Sequence, residues 1–155
     1  MKKLLIHCSY DEDVSYLCRC SGGDECDVDV LELYALSGSS RMGSRLGALR
    51  GKIPDVRFRG YDLSGYDTVV LACDEWMGGV IPAMGTFIRQ NELRGKNVVC
   101  IVFGNGAFAK KASDSLKVMV SLSGGTVRNS ITVSKKGFKN CEEDLLFYVR
   151  HRLAV

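Results

Sequence analysis

The fold class this sequence predicts is α/β, a three-layer domain built on a doubly wound, five-stranded parallel sheet, and three observations predict it. Strand-like and helix-like segments alternate along the chain. Most of the strand segments are continuous apolar runs, the pattern of strands covered on both faces. Glycines and capping residues punctuate the junctions between segments. In such a sheet, ligands are expected at the carboxyl edge, where the strand order reverses.

Taken in order, Lys3 to Cys8 is a short apolar run that reads as a buried strand. Asp11 to Cys20 reads as a helix, with Asp11 or Asp13 as its cap and Val14, Leu17 and Cys18 on one face. Ser21, Gly22 and Gly23 stop it. Val28 to Tyr34 alternates apolar and polar residues and is the second strand. Ser37 to Gly65 is the least regular stretch: Leu46, Leu49 and Arg50 suggest one short helix, loosened by Gly38, Gly43, Gly47, Gly51 and Pro54. Asp67 to Cys73 is β-branched and reads as a central strand, and Pro82 to Asn91 follows as a helix with Phe87 and Ile88 inward. Asn97 to Phe103 is another buried strand, ended by Gly104-Asn105-Gly106. Lys110 to Ser123 reads as a helix closed by Gly124-Gly125. Val127 to Val133 is the last strand and Asn140 to Leu153 the last helix, opening with Asn140 and Glu143 at capping-box spacing.

The chain of 155 residues is long enough for one full core and short for two, so residues 1–155 are expected to form a single domain. Apolar residues make up 46% and charged residues 25%, a globular rather than disordered balance. A formal charge of +3 is too small to argue for nucleic acid, which is not expected as a partner, and the basic run Arg41, Arg45, Arg50, Lys52, Arg57 and Arg59 reads as a solvated face. No run has the length of a membrane span, and MKKLLIHC falls short of a secretory signal, so a cytoplasmic location is expected. Seven cysteines, an odd number, then default to reduced thiols.

The middle of the chain carries a more specific pattern. Asp62-Leu63-Ser64-Gly65-Tyr66-Asp67 leads into a strand, followed by Trp76-Met77-Gly78, Pro82 and Phe87, and then by Gly95-Lys96 before Val98-Val99. This resembles the flavodoxin-like family, where a "DLSxYD" lead-in, a strand, a "PxWxGxxxP" loop, a helix and a "GK" recur in that order. The resemblance covers Asp62 to Gly106 by motif and the remainder by element order. It implies strand order 2-1-3-4-5, a bound flavin mononucleotide (FMN) held by three loops at the carboxyl edge, and electron transfer to a redox partner protein.

Carried over residue by residue, the resemblance implies that the second loop, Glu75, Trp76, Met77 and Gly78, covers the flavin ring, with Trp76 stacking on it. The third loop, Gly104, Asn105 and Gly106, would touch the pyrimidine side of the ring, with Phe108 a second stacking residue. The first loop would hold the phosphate at a helix N-terminus. There the sequence departs from the family's S/T-x-T-G-x-T: it reads Ser9, Tyr10, Asp11, Glu12, Asp13, Val14. Only Ser9 matches. Like charges about 4 Å apart cost on the order of 1 to 4 kcal/mol between water-like and surface dielectrics, so three carboxylates oppose a phosphate dianion. Asp74 also replaces the family's proline two residues before the tryptophan.

Plainer readings stand beside these. Trp76 could pack on Pro82 and Met84, and Gly104-Asn105-Gly106 could be a tight turn. Cys18, Cys20 and Cys26 form C-x-C-x5-C, which matches no well-known metal spacing. Cys8 and Cys73 end the first and third strands, which the resemblance implies are neighbours, as a dithiol or as small core residues. Asp11, Glu12, Asp13, Asp74 and Glu75 form an acidic group able to hold a hard cation or to face solvent. Cys141 begins the last helix, and His7 and His151 read as structural. No residue presents itself as a catalytic acid or base. The functional readings are therefore a flavin-binding redox protein with an impaired phosphate loop, a flavin-free flavodoxin-like binding or regulatory module, and, behind both, a thiol- or metal-based protein.

Overall fold

A computed structural model describes residues 2–22, 27–33 and 61–134. In chain order these form β1 (Lys3–Cys8), α1 (Glu12–Cys20), β2 (Val28–Glu32), β3 (Thr68–Trp76), β4 (Gly79–Val80), α2 (Pro82–Gln90), β5 (Asn97–Phe103), α3 (Gly106–Leu122) and β6 (Thr126–Val133). The expected short helix near Leu46 to Arg50 and the expected helix from Asn140 to Leu153 lie outside the described residues.

The main sheet runs β2-β1-β3-β5-β6, with every neighbouring pair parallel. Counting only these five strands, this is the expected order 2-1-3-4-5. The two-residue β4 was not foreseen. It pairs antiparallel with the end of β3, so that Glu75 faces Val80 and Trp76 faces Gly79. β3 is consequently longer than expected, continuing past Cys73 to Trp76.

Continuous apolar strands follow from the layers. Leu4, Ile6, Val69, Leu71, Val98, Cys100 and Val102 pack on one face with Met84 and Phe87 of α2 and Leu116 and Val120 of α3. Leu5, Val70, Val99, Ile101 and Phe103 pack on the other face with Val14, Leu17 and Cys18 of α1. Side chains alternate along a strand, so a strand between two helical layers needs apolar residues at every position. Helices on both faces make the sheet doubly wound.

Local chemistry sets the helix starts. The Asp11 carboxylate accepts the Asp13 N–H at 3.0 Å, with Glu12 and Asp13 in the first turn and Arg19 in the last, each favourable to the helix dipole. α2 begins on Pro82, which has no N–H to satisfy at that position. α3 begins four residues ahead of the expected Lys110, taking Asn105 as its N-cap residue, and the Asn105 side chain is held by the Ser134 hydroxyl at 2.6 Å.

One core residue is ionisable. His7 is fully buried in β1, and neither ring nitrogen has a hydrogen-bond partner among the described residues. Burial lowers its pKa below 6.5; the Glu32 carboxylate opposes that shift and the Arg19 guanidinium adds to it. The unfolded chain therefore binds a proton at His7 more readily than the folded one. Stability from this residue is complete above pH 6.5 and is lost as the pH falls below it, by at most about 1.4 kcal/mol per pH unit. Urea unfolding across about pH 5 to 8 should show that acid-side slope, and His7→Leu should flatten it. An unchanged slope in His7→Leu would assign the acid sensitivity to other groups.

Candidate functional site at the carboxyl edge

In the order β2-β1-β3 the chain turns to one side after β1 and to the other after β3, so the switch point lies between the ends of β1 and β3. The register aligns those ends: Cys8 pairs with Cys73, and Asp74 with Phe103 of β5. Three segments meet there. Ser9, Tyr10 and Asp11 leave β1, Asp74 to Gly78 end β3, and Gly104 to Phe108 leave β5.

The centre of the site is a carboxylate. Asp74 is only 3% exposed, and its Oδ2 accepts the Ser9 hydroxyl at 2.8 Å and the Tyr10 N–H at 3.1 Å. The Ser9 Oγ in turn accepts the Asp11 N–H at 2.9 Å. The hydroxyl and amide with which a strand-to-helix loop would cradle an anion are thus spent on a side chain from the neighbouring strand. Sequence reasoning noted Asp74 as a missing proline and as one of five acids that could face solvent or hold a cation, and not as a partner of the first loop. A usable signal was present, because the acid arises at the end of β3 in the same chain whose first loop has lost its glycine and threonines.

The turn after β3 is a tight hairpin. Met77 has φ 50° and Gly78 φ 76°, the left-handed pair that joins two strands across a two-residue loop. The Glu75 carboxylate accepts the Gly78 N–H at 2.7 Å and holds the turn closed. The Phe108 ring lies against Gly78, with its Cδ1 3.1 Å from where a Cβ would stand. Gly104 is glycine for a similar reason: a Cβ there would come within 2.8 Å of the Glu75 Cβ.

Trp76 is the last residue of β3 rather than part of a loop, and it is 8% exposed. It belongs to the same buried cluster as Ile81 and Met84, and its ring centroid lies 5.0 Å from that of Tyr10 at 38°. The outward apolar surface belongs to its neighbours: Tyr10 is 38% exposed, Met77 61% and Phe108 64%. The edge therefore presents an apolar rim on all three segments around a buried acid. Ser9, Tyr10, Asp11, Glu75, Trp76, Met77, Gly78, Gly104, Asn105, Gly106 and Phe108 all lie on these segments.

Four buried thiols are chemically quiet. Burial pushes Cys8, Cys18 and Cys100 up to about 12 and Cys73 well above its ordinary value, with the Asp74 carboxylate adding to the shift at Cys8, Cys18 and Cys73. At neutral pH they are protonated and poor nucleophiles. Among the described residues, no three His, Cys, Asp or Glu side chains converge as a cation site. Cys26, Cys141 and His151 lie outside the described residues. No helix among the described residues is long and apolar enough to cross a membrane.

A non-glycine residue in left-handed backbone costs on the order of 1 to 2 kcal/mol, less for Asn. Met77→Asn should therefore raise stability by about 0.5 to 1 kcal/mol in urea unfolding. A lower midpoint in that variant would show that Met77 side-chain contacts outweigh the backbone strain.

No protein-family model and no curated protein matches the sequence. Solved structures do. A flavoprotein in complex with FMN from Lactobacillus acidophilus superposes with a TM-score of 0.68 at 15% identity, over 92% of this chain and 98% of that one. A WrbA-like flavodoxin from Agrobacterium tumefaciens gives 0.61 at 10% identity, over 97% and 94%. Oxidised flavodoxin 1 from Bacillus cereus gives 0.56 at 16% identity, over 97% and 99%. With the strand order, the two helical layers and these superpositions together, the fold of this chain is flavodoxin-like.

Proposed function

We propose that the carboxyl edge is a flavin site that grips the isoalloxazine ring rather than the phosphate, and that the protein exchanges electrons through that flavin with a redox partner protein. The observation that carries this reading is the apolar rim of Tyr10, Met77 and Phe108, exposed on three separate segments around the switch point. A planar aromatic ligand suits such a rim, because each contact adds apolar burial and ring stacking without a charged partner. The neighbour from Lactobacillus acidophilus, which shares the fold, was solved with FMN.

The two halves of FMN fit this chain unequally. The ring half fits the rim. The phosphate half does not, because the Ser9 hydroxyl and the Tyr10 N–H already donate to Asp74. A bound flavin supplies one- or two-electron transfer. The chain's residues supply an apolar surface that excludes water, together with the negative charge of Asp11, Glu12, Asp13, Asp74 and Glu75, which disfavours an anionic reduced flavin. No side chain in the site takes the role of general acid or base.

A second reading is a flavin-free binding or regulatory module that keeps the fold. The burial of Trp76 against Tyr10 favours it, since the tryptophan faces are already largely covered.

Trp76 is the single tryptophan, so its fluorescence reports directly on this edge. Titration with FMN and with riboflavin should quench it at micromolar concentrations, and Phe108→Ala should weaken both ligands by about tenfold. No quenching by either flavin up to about 1 mM, where binding is worth only about 4 kcal/mol, would remove the redox reading and leave the flavin-free module.

A further inference from the structure

We infer that Asp74 is a specificity-determining residue, a built-in anion that fills the phosphate position of this site and selects a flavin without a terminal phosphate over FMN. The inference rests on the flavin reading above and names its substrate class. Three observations carry it. Asp74 comes from β3, yet its carboxylate binds the Ser9 hydroxyl and the Tyr10 amide, which directly follow β1 at the switch point. The N-terminus of α1 is served by a second internal acid, since Asp11 caps the Asp13 N–H. The Asp74 carboxylate is buried, so solvent cannot screen it as it would a surface charge.

A phosphate dianion arriving at this loop would have to displace Asp74 from Ser9 and Tyr10 or share the loop with it. Displacement strips a buried carboxylate of two hydrogen bonds, and sharing places like charges in contact. Riboflavin carries the same ring and a neutral hydroxyl tail, so it meets neither penalty. The ring rim and the Asp74 plug therefore act on different halves of the ligand, and they can be separated by experiment.

The test uses the full chain and its Asp74→Asn and Asp74→Ala variants, each checked for folding by circular dichroism, with riboflavin, FMN and inorganic phosphate as probes. In the wild-type protein, riboflavin should bind at least as tightly as FMN. In Asp74→Asn, which keeps the shape and an accepting oxygen, FMN affinity relative to riboflavin should rise by at least about tenfold, and in Asp74→Ala by more. Wild-type protein binding FMN about tenfold more tightly than riboflavin, an outcome that needs no variant to fold, would overturn the assignment. So would an unchanged ratio in a folded variant. Should neither flavin bind, the flavin reading fails while the role of Asp74 is still decided by phosphate. The Tyr10 and Asp11 amide resonances should ignore inorganic phosphate in the wild-type protein and shift saturably in Asp74→Ala. Absence of that gain in folded Asp74→Ala would show that Asp74 does not occupy an anion position.

Discussion

Burial of β1, β3 and β5 on both faces is the constraint from which the remaining architecture follows. Val69 and Leu71 face one helical layer while Val70 and Ala72 face the other, and all four are essentially inaccessible to solvent. A strand so placed cannot slip by one residue without exchanging its two faces, so the register is fixed along its length. Fixed register places Cys8, Cys73 and Val102 at the same height, and with them the three segments that leave the sheet. The site is a consequence of that alignment. No residue in it is positioned by a long loop.

What stands at that edge is a loop whose donors are met by the chain's own carboxylates. Strand-to-helix loops collect free N–H groups, and a buried one must be satisfied by something. In this chain the Ser9 hydroxyl and the Tyr10 N–H are satisfied by Asp74, and the Asp13 N–H by Asp11. The same carboxylate is the second cause of the raised pKa at Cys73's neighbour Cys8, after burial itself. One acid thus takes up two donors of the first loop and helps to raise the pKa of a thiol beside it. The hairpin after β3 is satisfied in the same manner, by Glu75 across its own turn. Internal carboxylates serve as hydrogen-bond acceptors at both places, leaving apolar side chains to form the outer rim.

Much of the fold was legible in the sequence because the signals are local. The apolar runs Lys3 to Cys8 and Asn97 to Phe103 agree with β1 and β5 to the residue, and of the two acids that could cap α1, Asp11 is the one that does. The extension of β3 was not legible, because Asp74-Glu75-Trp76 reads as a polar loop until β4 folds back and pairs with it. The left-handed turn at Met77 was hidden for a related reason. Sequence patterns announce such turns with Asn-Gly or Asp-Gly, and Met77-Gly78 shows only half of that signal.

The sequence by itself determined the layers and the departure of the first loop from S/T-x-T-G-x-T, since hydrophobic period, glycine positions and charge are properties of neighbouring residues, while the strand order was an expectation of the family resemblance. Only the tertiary structure decided what the first loop holds instead. Ser9 and Asp74 are 65 positions apart, and they meet because β1 and β3 lie side by side in the sheet. It likewise decided which aromatic residues face outward, turning Trp76 toward the core and leaving Phe108 on the rim. Both outcomes depend on contacts between distant segments, and such contacts leave no periodic trace in the chain.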